Sequence, residues 1–293
     1  MDDVFWDIIL WIPWWTAILS VAGNKLLDKS FFVFTLNTQY KHEQRAKLKD
    51  FLGKTKTGLL NSAEDMQYRL WNFREKISEN WHCQTEKTWK DPTKYYIQSF
   101  VYRFLEFFYF ARKVRSDIFF VDSTVATRQD YTYLKYIKAL QLLFCDADLL
   151  NTEQHPYTGK KPKHHFYKDV FYNFPAFIVK DGNILNFDSF KEKIQGNTEK
   201  IEPIRNYIAL CENKNDNLNY CTMQLFHLLL LAFLNTYGFD YQRTDKEKLI
   251  QIVKSYKGNM LFTNFKRFLE KHKLSREKAI LKIIKIYEKT NCC

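Results

Sequence analysis

The densest set of side chains able to do chemistry is His155, His164, His165 and Asp169. Imidazole titrates near neutral pH and ligates metals, so a histidine pair with a carboxylate nearby can hold an ion or act as a general base. The spacing opposes a shared ion. His164 and His165 are adjacent, and neighbours on an extended segment point to opposite faces. No P-loop, GxGxxG, GxSxG or HExxH motif and no zinc-ligand spacing accompanies them. The residues therefore favour a non-enzymatic protein with no cofactor and no metal. The alternatives are a membrane-tethered hydrolase or nuclease using the His155–Asp169 cluster, and a non-catalytic membrane scaffold.

The same stretch carries a second chemistry. Lys160, Lys161, Lys163, His164, His165 and Lys168 alternate with Tyr157, Phe166, Tyr167 and Tyr172. Bases stack on such rings while cations track the phosphates, at about 1–3 kcal/mol per stacked base. A further set closes the chain. Lys278, Lys282, Lys285 and Lys289 fall at i, i+4, i+7 and i+11, with Ile280, Ile283, Ile284 and Tyr287 opposite. Like charges at i, i+4 cost a helix a few tenths of a kcal/mol per pair. A polyanion reverses that cost; a plain solvated face leaves it unpaid. Together these residues are the candidate contacts to an anionic nucleotide or single-stranded nucleic acid.

Charge supports the assignment. The chain carries 45 Lys+Arg against 33 Asp+Glu, net +12. Residues 241–290 hold 14 bases and 5 acids, a net of 14 − 5 = +9. Such asymmetry suits nucleic acid or acidic lipid head groups. The six cysteines lie at 83, 145, 211, 221, 292 and 293, with no metal-finger spacing, and read as reduced thiols.

The positioning elements are mostly helical. "NSAEDMQYRLWNFREKISENW" (61–81) reads as a helix capped by Ser62 and Asp65. Helices also cover 93–116 and 128–144, their aromatic faces at core spacing. "PAFIVKDGNILNF" reads as a β-hairpin turning at Asp181-Gly182, with Asp188 capping a helix from Ser189. "YCTMQLFHLLLLAFLNTY" (220–237) reads as the central buried helix. About three helices fill the last fifty residues.

The N-terminus differs. "WIPWWTAILSVAG" (11–23) holds no charge, and the uncharged run from Ile8 to Gly23 gives roughly 24 Å of helix against about 30 Å of hydrocarbon. Extending it to Leu27 lets Lys25 snorkel. Asp2, Asp3 and Asp7 precede the run; Lys25, Lys29, Lys41, Arg45, Lys47 and Lys49 follow it. The positive-inside rule then places the N-terminus outside and the remainder in the cytoplasm. Acids in place of a basic n-region argue against a signal peptide. An interfacial helix and a buried core helix are the other options. Thr16, Ser20 and Asn24 form a polar stripe at i, i+4, i+8, suited to an oligomer interface or a narrow pore. Mean hydropathy of −0.43 limits any membrane part to a small fraction of the chain.

The expected architecture is mostly α: one N-terminal transmembrane helix, then an α-helical cytosolic domain with a small β-hairpin insertion. Its parts are a membrane segment (1–29), a basic juxtamembrane connector (30–60), a helical domain (61–240, loop and hairpin at 151–188) and a basic C-terminal helical subdomain (241–293).

In "WIPWWTAILSVAG", "TGKKPKHHFYK" and the terminal lysine stripe, this layout resembles the membrane effectors of bacterial anti-phage (abortive infection) systems, among them the membrane-channel effectors of Hailong systems. The resemblance covers layout only. It implies a homo-oligomeric channel in the bacterial inner membrane, gated by single-stranded DNA oligomers that a partner nucleotidyltransferase makes. The expected partners are accordingly membrane lipid, further copies of the chain, the anionic ligand and that enzyme.

Overall fold

The computed structural model describes residues 3–91, 93–118, 123–153, 155–159 and 163–291, with residues 3–19, 21–28, 30, 51, 52, 86, 87, 117, 118, 123 and 291 as backbone alone. The chain is mostly helical, with one two-stranded antiparallel sheet. Contacts divide it into two compact units: Met1–Phe51 with Phe120–Ala126, and Leu52–Phe119 with Thr127–Cys293.

The first helix, α1 (Asp3–Lys76), is 74 residues long and contributes to both units. The predicted helix start near Ser62 does not occur. Ser62 is buried inside α1, and its hydroxyl donates to the carbonyl of Leu59 at 3.0 Å. Residues 30–60 are helical throughout, as part of α1. Glycine alone costs a helix only about 1 kcal/mol, and no proline interrupts this stretch. Gly58 has a packing role: a Cβ there would lie 2.4 Å from the Phe110 ring. Met66, Leu70 and Phe73 face the core, as their spacing predicts.

In the first unit, Leu48 and Val125 are the buried apolar side chains among the described residues. The second unit carries the large core. After α2 (Glu86–Trp89) comes α3 (Tyr95–Ile118), whose Phe100, Phe104, Phe107, Phe108 and Ala111 are all buried. α4 (Arg128–Leu142) starts in a reciprocal cap: Thr127 accepts from the Asp130 amide at 3.2 Å, and Asp130 accepts from the Thr127 amide at 2.8 Å. The short α5 (Ala147–Leu150) and α6 (Lys168–Asn173) follow.

The hairpin is where its sequence places it. β1 (Val179–Lys180) pairs with β2 (Asn183–Ile184), Val179 opposite Ile184. Asp181 and Gly182 take φ of 52° and 78°, the positive pair that a two-residue turn requires. The next helix, α7 (Phe187–Lys193), is capped not by Asp188 but by Asn186, whose carbonyl oxygen accepts from the Ser189 amide at 2.8 Å. Asp188 instead sits in the first turn and pairs with Lys191 at 2.8 Å.

α8 (Glu202–Ala209) leads to α9 (Leu218–Tyr237), the centre of the core. α9 is apolar and long enough to cross a membrane, and 89% of its apolar window is buried inside the chain. Phe226 shows why: its ring meets those of Phe104, Phe107, Phe108 and Phe144 at 4.9–6.4 Å between centroids. α10 (Lys246–Ser255), α11 (Phe262–Lys271) and α12 (Lys278–Asn291) complete the unit. Residues 241–293, read as a basic helical subdomain, fall in the same contact unit as α3 to α9. α12 packs on α9 and α10, because its Ile280, Ile283 and Tyr287 complete the same core.

Candidate phosphate-binding groove

Residues 163–167 run through a turn and bends into α6, and the Phe166 anchor sorts them. The Phe166 amide donates to the Phe144 carbonyl at 2.8 Å, and the Phe166 ring stacks on Phe171. That anchor leaves Lys163, Tyr167 and Lys168 exposed and buries His165.

The histidines take separate partners. His164 Nδ1 lies 2.6 Å from Asn219 Oδ1, an acceptor, so the imidazole N–H donates. His165 Nδ1 lies 2.7 Å from the Tyr157 hydroxyl. Burial, then the neighbouring His164, holds the His165 pKa below its usual value, and burial raises that of Tyr157. His155 and Asp169 are exposed. Among the described residues no group of three or more His, Cys, Asp or Glu is placed to hold a metal ion. The cluster thus does not converge on one ion, and two of its imidazoles are committed to structural hydrogen bonds.

The cations converge better, and with partners the sequence did not reveal. Around Tyr172, Arg115 lies 4.7 Å and Lys168 5.9 Å from the ring centroid, while Arg112 donates to the Tyr172 carbonyl at 2.8 Å. Arg112 and Arg115 come from α3, more than fifty residues earlier in the chain. Beside α6 lie two hollows that share Pro203. The larger, about 830 Å³, has Phe174 and Phe177 in its lining and Lys193 and Lys200 among its polar residues. The second, about 460 Å³, is lined by Lys163, Phe166, Asn206 and Tyr207. Lys193 Nζ stands 4.9 Å from the Phe177 ring centroid, within cation–π range. Three lysines and one acid, Glu199, among the lining residues suit an anion, while Phe174 and Phe177 expose only 5% and 7% of their surface.

Tyr167 is exposed beside this groove. Lys160 and Lys161 lie outside the described residues. Lys278, Lys282, Lys285 and Lys289 are exposed on α12, and none of them lines either hollow. Glu288 beside them pairs with Lys266 at 3.0 Å. The two predicted lysine sets therefore belong to different elements. Ser20 is exposed on α1; the side chains of Thr16 and Asn24 lie outside the described residues. No signal in the sequence marks Lys193, Lys200, Arg112 or Arg115, which packing alone brings to this region.

No family model matches the chain, and no match was found to a curated protein or to a solved structure.

Proposed function

We propose that the chain is a non-enzymatic, oligomeric membrane effector whose N-terminal helix lies in the bacterial inner membrane and whose basic second unit binds an anionic nucleotide or single-stranded oligonucleotide. The observation that carries the membrane half is on α1. Phe31, Phe32 and Phe34 are 72%, 63% and 66% exposed, and of residues 31–50 only Leu48 is buried. A helix draws most of its stability from packing its apolar surface. The described apolar side chains of Phe31–Leu36 lack most of that packing, so a bilayer or further copies would supply it. Its other supports are the uncharged run Ile8–Gly23 in the same helix and the bases that follow it.

The ligand half rests on the groove. Lys163, Lys193 and Lys200 offer phosphate contacts at its lining, and the exposed Tyr167 nearby offers a ring for stacking. The α12 lysines extend the basic surface for a strand longer than the groove. Ligand binding then biases a pore formed by several α1 helices, with Thr16, Ser20 and Asn24 on its axis. A role in anti-phage defence, with a nucleotidyltransferase supplying the ligand, follows from the layout resemblance.

The test fractionates the full chain and titrates it with a labelled single-stranded oligonucleotide across salt concentrations. Retention in the membrane pellet after alkaline extraction is expected. Log affinity should fall linearly with log salt, and each lysine removed from a phosphate contact should flatten the slope by about 0.7. Lys163→Ala with Lys193→Ala and Lys200→Ala should weaken binding tenfold or more. The four α12 lysines changed to alanine should flatten the salt slope further. Unchanged affinity and slope in both sets would remove the ligand half. A soluble chain would remove the membrane half.

A further inference from the structure

The exposed band on α1 has a geometry that separates its possible occupants. Phe31, Phe32, Val33 and Phe34 are consecutive and all exposed. At 3.6 residues per turn, four consecutive positions cover the whole circumference of a helix. A second copy of the chain covers one side of a helix; a bilayer covers all sides. The band's hydroxyls also suit hydrocarbon. Thr35 donates to the Phe31 carbonyl and Thr38 to the Phe34 carbonyl, each at 2.8 Å, so neither donor needs water. Beyond the band, exposed Lys41, Arg45, Lys47 and Lys49 are placed for anionic head groups.

Length agrees. From Ile8 to Gly23 the helix rises roughly 23 Å, short of the hydrocarbon thickness of about 30 Å. From Ile8 to Leu36 it rises roughly 42 Å, the thickness of a bilayer with its interfaces, about 40–45 Å.

We propose that the lipid-contacting surface of α1 continues through the Phe31–Leu36 band, so that the membrane segment ends near Leu36 and not near residue 29. This extension rests on the membrane reading above. It has a consequence for the charges at 25, 28 and 29, which interrupt the apolar sequence. They then fall at membrane depth, where ionisable residues persist by meeting water, a partner charge or the interface. Lysine stems can snorkel outward; an aspartate cannot. An aspartate at position 28 thus requires an aqueous path or a neighbouring subunit, which favours an oligomer over a lone anchor.

The test places the photo-crosslinker p-benzoylphenylalanine, close in shape to phenylalanine, at Phe31, Phe32 or Phe34 of the full chain. The control site is Ala46, about 18 Å beyond Phe34 along the helix. Membranes are irradiated and adducts are separated by mass. Phospholipid adducts at the three band positions and none at Ala46 are expected. A ladder of crosslinked chains without lipid adducts, or no adduct at all from a chain that stays in the pellet, overturns the extension and leaves the membrane reading standing. A chain released by alkaline extraction overturns both. As a second measurement, Phe31→Ser with Phe32→Ser and Phe34→Ser should reduce pellet retention at least severalfold; full retention counts against the extension.

Discussion

Two apolar segments of this protein, α9 and the Phe31–Leu36 band of α1, have opposite surroundings. α9 packs on α4 and α12, its Phe226 meets the rings of α3, and every side chain from Asn219 to Leu234 is buried. On α1 the apolar side chains of the band Phe31–Leu36 are exposed, at 47–72%. The comparison teaches that apolar composition states a need for cover without saying what supplies it. Length and hydropathy alone qualify α9 as a membrane candidate. Neighbouring rings decide otherwise.

The sharpest way to break this contrast is truncation in both places. Phe226→Ala should cost about 3–5 kcal/mol, because it removes a ring enclosed by four others and leaves a cavity. Phe32→Ala should change unfolding free energy by less than about 0.5 kcal/mol, since its ring is exposed within the chain. Denaturant unfolding of the full chain in one detergent measures both. Equal losses would mean that the band packs on the chain after all.

Acid probes the inside of α9 next. His227 is fully buried, with Nδ1 2.6 Å from the Tyr256 hydroxyl, and burial, then Lys248, pulls its pKa down to about 3. The folded value lies below the unfolded value of 6.5. As pH falls, the unfolded chain takes up the proton first. The stability contribution is therefore complete above pH 6.5 and declines toward pH 3, by about 2 kcal/mol at pH 5. His227→Gln should flatten the acid limb of a stability–pH curve. An unchanged limb would place the titrating group elsewhere.

Local signals give smaller effects. Asn186→Ala should cost about 1 kcal/mol through the lost α7 cap, whereas Asp188→Ala should cost less, which reverses the order the sequence suggests. Lys282→Ala should raise thermal stability by a few tenths of a kcal/mol, because it relieves an i, i+4 repulsion with Lys278. No change there would indicate that the stripe is screened in the free protein.

Much of the fold was legible in short windows. Asp181-Gly182 announced its turn because few residue pairs accept two positive φ values. The faces of α3 and α12 followed from their apolar spacing, since a helix buries a fixed stripe. The failures share a cause. Ser62 and Asp188 have the chemistry of caps, but a cap is needed only where a helix begins. Whether one begins depends on whether the preceding turns continue, and in α1 they do.

The candidate site was half legible. Of the residues that interleave cations with rings in one segment, Lys163 lines a hollow, while His164, His165, Tyr167 and Lys168 line neither. Lys193, Lys200, Arg112 and Arg115 carried no signal in the sequence, because they come from other elements and meet this region only through packing. The His155–Asp169 cluster shows the converse. Proximity in sequence suggested chemistry, and the structure gave His164 to Asn219 and His165 to Tyr157.

By itself the sequence determined the helical character, the hairpin, the basic end and the presence of two apolar stretches, because periodicity, turn chemistry and charge are properties of neighbours along the chain. Only the tertiary structure decided which apolar stretch is wrapped, where the second unit starts and which cations line the groove. Burial is set by contacts between residues far apart in sequence, and no local pattern encodes how distant surfaces will meet.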